Sequence, residues 1–293
     1  MGCPVVRDST IRSHQETVDR VITAMRSQID QPLCLESMAR IGFASRFHFH
    51  RTFRQITGIP PRQFLYALRL DAARRLLMHS RQKVIDICYG VGYNSVGTFT
   101  RRFTNVLGVS PTAFREITQS QQLAAAKEST HPVASRRRRR TGYTVQGQIE
   151  VPDDFHGVIL IGLFATAIPQ AKPLACTIVS EAGSYQIKDA PEGESYLFAL
   201  GLEDPIHAPV CFRYESALRG GGNPIRISCH EVHGQADLRL RPPSSFDPPI
   251  LMALTLLIDQ FFGDGDSGKR GGAAPLPRVS AQKVKDAYPM PVA

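Results

Sequence analysis

The sequence predicts a two-domain protein, an all-α domain followed by a mainly β domain of β-sandwich-like build. Three observations carry that expectation. Residues 35–114 contain one structural unit twice, at an offset of fifty. From Thr144 the apolar spacing changes from helical to strand-like. The charge also changes sign: residues 1–140 hold 23 Lys+Arg and 9 Asp+Glu, a net of +14, whereas residues 141–293 hold 12 and 17, a net of −5. A basic half joined to an acidic half points to a polyanion partner for the first half alone, with nucleic acid the leading candidate.

The first predicted helix places Val18, Val21, Ile22, Met25 and Ile29 on one face. The repeat follows, aligning Gly42 with Gly92, Phe43 with Tyr93, Ser45 with Ser95, Phe49 with Phe99 and Arg51 with Arg101. The register continues through Phe53 and Phe103, Gly58 and Gly108, Pro61 and Pro111, and Phe64 and Phe114. Each copy reads as helix, tight turn, helix. Leu35, Met38, Ala39 and Ile41 form the first stripe of copy one; Val84, Ile87, Cys88 and Val91 form that of copy two. Ser45 and Ser95 suit N-caps, because a serine oxygen accepts an orphan backbone N–H. The second helices bury a phenylalanine pair at i and i+4 and end at a glycine suited to a left-handed C-cap. Pro61 and Pro111 fit the first turn of a following helix, where no amide bond is lost. A helix from Pro61 to about Met78 joins the copies.

The exposed side of each second helix narrows the function. Copy one presents Arg46, Phe47, His50, Arg51 and Arg54; copy two presents Val96, Gly97, Thr98, Arg101 and Arg102. Short helices with small, polar and arginine residues facing outward are what major-groove insertion requires. A helical bundle with a merely solvated basic face is the blander alternative.

The stretches PLCLESMARIGFASRFHFHRTFRQITGIPPRQFL and VIDICYGVGYNSVGTFTRRFTNVLGVSPTAFR closely resemble the AraC/XylS family of transcription regulators. The likeness runs from about Val18 to Arg115. It implies seven helices forming two helix-turn-helix motifs spaced by a long helix, with the recognition helices in adjacent major grooves. By position it implies base contacts from Phe47, His50 and Arg51, and from Val96, Gly97, Thr98 and Arg101. Arg51 and Arg101 are the strongest of these, because a guanidinium can hold guanine O6 and N7 together. Phe47 either rests on a thymine methyl or covers the core. Ser45, Arg46, Arg54, Ser95 and Arg102 are assigned to phosphates, which position a protein without reading sequence. The first turn departs from the family pattern, in which the glycine often falls one residue later. Val96 and Gly97 leave the second helix to read shape and apolar contact more than hydrogen bonds.

Residues 119–142 are expected to form a basic linker ending in Arg136, Arg137, Arg138, Arg139 and Arg140, either an arm on phosphates or a solvated tether. Residues 1–12 are expected to be a flexible N-terminus, 13–118 the DNA-binding domain, 143–241 the β-rich effector or interaction domain, and 242–293 a tail with a short apolar helix at Ile250–Phe262. Candidate strands are Val145–Val151, Val158–Phe164, Ala175–Ser180, Ser184–Ile187, Ser195–Leu200, Pro224–Cys229 and Ala236–Leu240. Turns are expected at Pro152-Asp153-Asp154, Glu181-Ala182-Gly183, Pro191-Glu192-Gly193 and Gly220-Gly221-Gly222. VQGQIEV and GSYQIKDAPEGESYLFAL weakly resemble prealbumin-like modules related to carboxypeptidase regulatory domains, which does not imply catalysis.

No enzyme, metal or cofactor is expected. His230 and His233 fall one residue short of zinc HExxH spacing. Asp153 and Asp154 read as turn residues. Met1–Thr10 lacks the apolar core of a signal peptide, and the apolar run Ile250–Ile258 is about half a membrane span. The six cysteines are scattered, consistent with a reduced, cytoplasmic protein. The expected function is a sequence-specific transcription regulator, an activator by family habit, with DNA, RNA polymerase and a small-molecule effector as partners and two motifs sufficient for monomeric binding. The rivals are an architectural DNA binder, a methyl-transferring repair enzyme and a protein-interaction module. The repair enzymes that share this domain type use a cysteine cluster ahead of the helices, where this sequence has Cys3 alone.

Overall fold

The computed structural model describes residues 4–125, 142–203, 217–228 and 231–252. Arg136–Arg140, Cys229, His230 and the chain beyond Met252 lie outside them. Seven helices come first: α1 (Pro4–Ser27), α2 (Leu35–Ile41), α3 (Arg46–Thr57), α4 (Pro61–His79), α5 (Val84–Gly90), α6 (Val96–Leu107) and α7 (Pro111–Ala125). Eight strands follow: β1 (Tyr143–Glu150), β2 (Gly157–Phe164), β3 (Ala175–Val179), β4 (Gly183–Ala190), β5 (Gly193–Glu203), β6 (Leu218–Ser228), β7 (Glu231–His233) and β8 (Leu238–Arg239).

Two boundaries need correction. The expected flexible residues 1–12 include the start of α1, which is helical from Pro4. The linker expected from residue 119 begins later, because α7 carries the QSQQ stretch on to Ala125. Polar residues there do not break a helix already nucleated by its buried first turns.

Each helical half is built on the same aromatic ladder. Phe49, Phe53 and Phe64 meet edge to face at 5.5 Å, and Phe103 meets Phe114 at 5.7 Å after a tilted Phe99–Phe103 contact. All six rings are buried. The serine caps form as the sequence suggests: Ser45 accepts from the His48 amide at 3.4 Å and Ser95 from the Thr98 amide at 3.3 Å. Gly58 and Gly108 close α3 and α6 in the left-handed conformation.

The repeat, however, is not continuous through the turns. In the first, the amides of Gly42, Phe43 and Ala44 donate to the carbonyls of Met38, Arg40 and Ala39. In the second, those of Val91, Gly92 and Tyr93 donate to Ile87, Tyr89 and Cys88. Phe43 is therefore the counterpart of Gly92, not of Tyr93, and the second turn is one residue longer. Phe43 takes up the positive φ, 52°, that Gly92 adopts at 81°. Gly42 instead lies close under α1, where an added Cβ would sit 3.1 Å from Thr17.

Three charged residues of α4, Arg69, Asp71 and Arg74, are buried among these helices. Arg69 is 7% exposed and donates to the carbonyls of Ile29 (2.9 Å), Gln31 (2.6 Å) and Gly92 (2.9 Å). Asp71 accepts from Arg74 at 2.7 Å through one oxygen and from Arg75 at 2.6 Å through the other. Burial pushes the Asp71 carboxyl up, but the two guanidiniums outweigh it and hold it below its ordinary value.

The strands form two sheets, ordered β4-β1-β8 and β3-β2-β5-β6-β7. Val145, Ile149, Tyr185 and Ile187 of the smaller sheet share one buried cluster with Ile159, Ile161, Leu197 and Ile225 of the larger. Gly220-Gly221-Gly222, expected as a turn, lies inside β6. Leu197 pairs with Asn223 and Phe198 with Gly221, so Gly222 is the extra residue of a bulge. A Cβ on Gly221 would fall 2.2 Å from the Leu197 carbonyl oxygen. The strand expected at Ala236–Leu240 shrinks to β8, and β7 was not anticipated. Residues 242–252, expected to open a tail, form a strap, and the helix expected at Ile250–Phe262 lies mostly outside the described residues. Arg241 bridges to Arg219 and Leu251 to Gln170, and Ile250, Leu251 and Met252 are buried.

Two substitutions in equivalent turn positions should have opposite effects. Gly92→Ala forces a Cβ to within 2.8 Å of the Arg69 guanidinium at positive φ and should cost about 2–4 kcal/mol. Phe43→Gly removes strain from an exposed residue and should stabilise by about 0.5–1 kcal/mol. Urea unfolding followed by helical circular dichroism measures both; equal signs would refute the turn assignment. Asp71→Asn should cost about 3–5 kcal/mol at neutral pH by removing the carboxylate charge that faces the buried Arg74. Because the folded pKa is depressed, Asp71 stabilises above its ordinary pKa and loses that contribution as pH falls through the folded value. The variant should therefore show a shallower acid limb, and an unchanged limb would contradict this.

Candidate nucleic-acid interface

Two helices of twelve residues, α3 and α6, share caps, length and orientation of their buried faces. Burying Phe49, Thr52 and Phe53 turns Phe47, Arg51 and Arg54 outward, with His50 at the margin. Burying Phe99, Phe103 and Leu107 turns Gly97, Thr98 and Arg101 outward, with Val96 and Arg102 half-buried. Phe47 is 78% exposed, which removes the alternative that it covers the core. Ser45 and Ser95 are exposed at the helix starts, each already holding one amide. The structure thus brings the sequence-assigned side chains of α3 and α6 onto two similar outward faces. Arg136–Arg140 lie outside the described residues.

The cations differ in how they are held. Among the described residues none pairs with Arg51, Arg54 or Arg101. Arg46 donates to Glu36 at 2.9 Å and lies 5.0 Å over the Phe47 ring; that hydrogen bond draws the Glu36 carboxyl below its usual value. Arg102 sits 4.3 Å over the Tyr66 ring. Burial works against the Arg102 charge, but the Tyr66 hydroxyl outweighs it, and the guanidinium holds its proton more firmly than a free arginine.

Within α3 and α6 the offset of fifty is kept, so Thr100 and Thr104 occupy the places of His50 and Arg54. Both are half-buried at the margin of the outward face. Sequence reading passed over them because neither is charged or aromatic; the repeat itself was the signal that would have found them.

α4 spaces the two motifs. At 1.5 Å per residue its nineteen residues span about 28 Å, near the roughly 34 Å that separates adjacent major grooves on one DNA face. Among the described residues no three His, Cys, Asp or Glu side chains are placed to hold a metal ion. No described helix is long and apolar enough to cross a membrane.

The helical region is similar to known proteins. Residues 38–117 match a family model described as a helix-turn-helix domain. The bifunctional transcriptional activator/DNA repair enzyme AdaA of Bacillus subtilis is 30% identical over 107 residues, 36% of this chain and 51% of the relative. The MmsAB operon regulatory protein of Pseudomonas aeruginosa is 34% identical over 106 residues, 36% of this chain and 34% of the relative. A solved AraC-type transcriptional regulator from Chromobacterium violaceum is similar over 35% of this chain and 91% of its own, at 26% identity and a TM-score of 0.34. The chain thus spans about half of the first relative and a third of the second. The N-terminal helical region thus carries a DNA-binding helix-turn-helix domain.

Proposed function

We propose that the protein is a sequence-specific transcription regulator that inserts α3 and α6 into adjacent major grooves of double-stranded DNA. The observation that carries this is the pair of matched, outward-facing helices held at the ends of one spacer. On this reading Arg51 and Arg101 engage guanine edges, Phe47 rests on a thymine methyl, and His50, Val96, Gly97 and Thr98 complete the base-facing surfaces. Thr100 joins them by its position in the repeat. Ser45, Ser95, Arg46, Arg54 and Arg102 contact phosphates, with Arg136–Arg140 as an arm along the backbone. Arg46 and Arg102 are held by Glu36 and Tyr66, so they reach phosphate at fixed positions or after exchanging partners.

A relative named as a transcriptional activator favours activation through contact with RNA polymerase in the cytoplasm. That relative is also named as a repair enzyme, yet the helical region here offers no cysteine cluster among the described residues, and the chain covers only 51% of it.

Selection from random duplex DNA with the full-length protein at near-physiological salt tests the reading. It should enrich two half-elements about one helical turn apart. Binding with no enriched motif would replace the proposal by an architectural role carried by phosphate contacts. On the selected site, Arg51→Ala and Arg101→Ala should each cost about 1–3 kcal/mol and relax base preference at one position. An equal loss on every sequence would move that arginine to the phosphate set.

A further inference from the structure

We propose that Phe43 and Arg20 form a further DNA contact, a pair that packs against the sugar–phosphate backbone at the rim of the groove entered by α3. The place at that rim rests on the regulator reading above; contact with duplex DNA as such does not require that a sequence be selected.

Among the described large apolar side chains Phe43 is the most exposed, at 85%. Its ring does not join the apolar cluster of the helices. Its backbone holds φ at 52°, a conformation that strains a residue with a Cβ and that glycine adopts freely. At the equivalent place the second motif has Gly92, and the aromatic ring that follows it, Tyr93, is buried. Phe43 therefore adds strain to the turn and leaves its ring in water. An outlier with no role in the packing points to a role in contact with a partner.

The ring has one cationic neighbour. The Arg20 guanidinium of α1 lies over it, 5.0 Å from the centroid, and Arg20 is exposed and pairs with no carboxylate among the described residues. A stacked guanidinium keeps its N–H donors in its own plane, where an anion can reach them. Phe43 stands two residues ahead of the Ser45 cap of α3. α1 reaches the first turn of that helix, where the His14 and His48 rings meet edge to face at 5.2 Å. Arg20 and Phe43 thus lie on the side of the first motif where α3 begins.

The pair fits a polyanion that carries apolar groups between its charges. A phosphate oxygen accepts from the guanidinium, and the C–H face of a deoxyribose covers the ring that water now meets. A protein partner would call for a broader apolar patch, whereas this ring stands beside a cation in the half of the chain whose net charge is +14. Because Phe43 precedes α3 and is not part of its outward face, it meets the backbone and reads no base. The second motif has no room for such a ring, since a Cβ on Gly92 would fall 2.7 Å from the Arg69 guanidinium. The contact therefore belongs to the first motif alone.

Affinities of the full-length protein and its Phe43→Gly and Arg20→Met variants test the pair, on the selected duplex and on a random-sequence duplex of equal length. Phe43→Gly should bind both duplexes about fivefold or more weakly, with its salt dependence unchanged. That variant relieves strain in the turn, so its loss of affinity is not a loss of fold. Arg20→Met should weaken both complexes and lower the salt slope by about one. Hydroxyl-radical cleavage should show deoxyriboses just outside the first half-element protected by the unaltered protein and cleaved with Phe43→Gly. The second half-element should show no such extension. Unchanged affinity of Phe43→Gly for both duplexes would overturn the proposal, and a loss confined to the selected duplex would overturn the backbone assignment. A protein that selects no motif, yet binds random duplex more weakly as Phe43→Gly, would sink the regulator reading and leave the contact standing.

Discussion

The helical region depends on one buried cation. Arg69 projects from the middle of α4 and donates to carbonyls that belong to both motifs: Ile29 and Gln31 before α2, and Gly92 in the turn before α6. A guanidinium 7% exposed would be costly without such acceptors, so the three carbonyls must stay where they are. Burial draws its pKa down, and backbone oxygens replace the lost water. The second turn must then hold a glycine, because any side chain at Gly92 would enter the guanidinium. One arginine of the α4 spacer thus ties the chain before the first motif to the turn of the second.

Local features were legible and nonlocal ones were not. Serine caps, glycine C-caps, proline starts and phenylalanine pairs are read from neighbours three or four residues apart, and each stands as the sequence suggested. The turn register was misread because two coincidences, Gly42 with Gly92 and Phe43 with Tyr93, concealed a one-residue insertion. Only the amide partners and the positive φ of Phe43 reveal it. Gly220-Gly221-Gly222 carried a turn's composition, but the demand for glycine came from the Leu197 carbonyl on a neighbouring strand. β7 and the strap are held by residues far away in sequence. The arginine partners of Asp71, at i+3 and i+4, were visible in principle; its burial was not. For the interface, charge singled out Arg51 and Arg101, while the half-buried Thr100 and Thr104 needed the repeat carried through residue by residue.

The acidic half is more than an appendage. Ile168 and Leu251 enter the apolar cluster of the helices, Ser245 donates to Asp19 of α1 at 2.9 Å, and the Ala171 amide caps a carbonyl of α6. The strap from Arg241 to Met252 therefore crosses from the sheet onto the helical bundle. The contact at the C-terminal end of α6 leaves the outward faces of α3 and α6 exposed. That arrangement permits the β region to influence the DNA-facing helices without obstructing them.

The central claim is that the Arg69 clamp and α4 hold the two motifs at one fixed spacing. The most direct measurement is the affinity of the full-length protein for duplexes carrying the two half-elements at their selected spacing and with about half a helical turn of DNA, roughly 5 base pairs, inserted between them. The account predicts that the insertion drops binding to the level of a single half-element, because the second helix then faces the wrong side of the duplex. Undiminished affinity would contradict it and would mean that the motifs move independently.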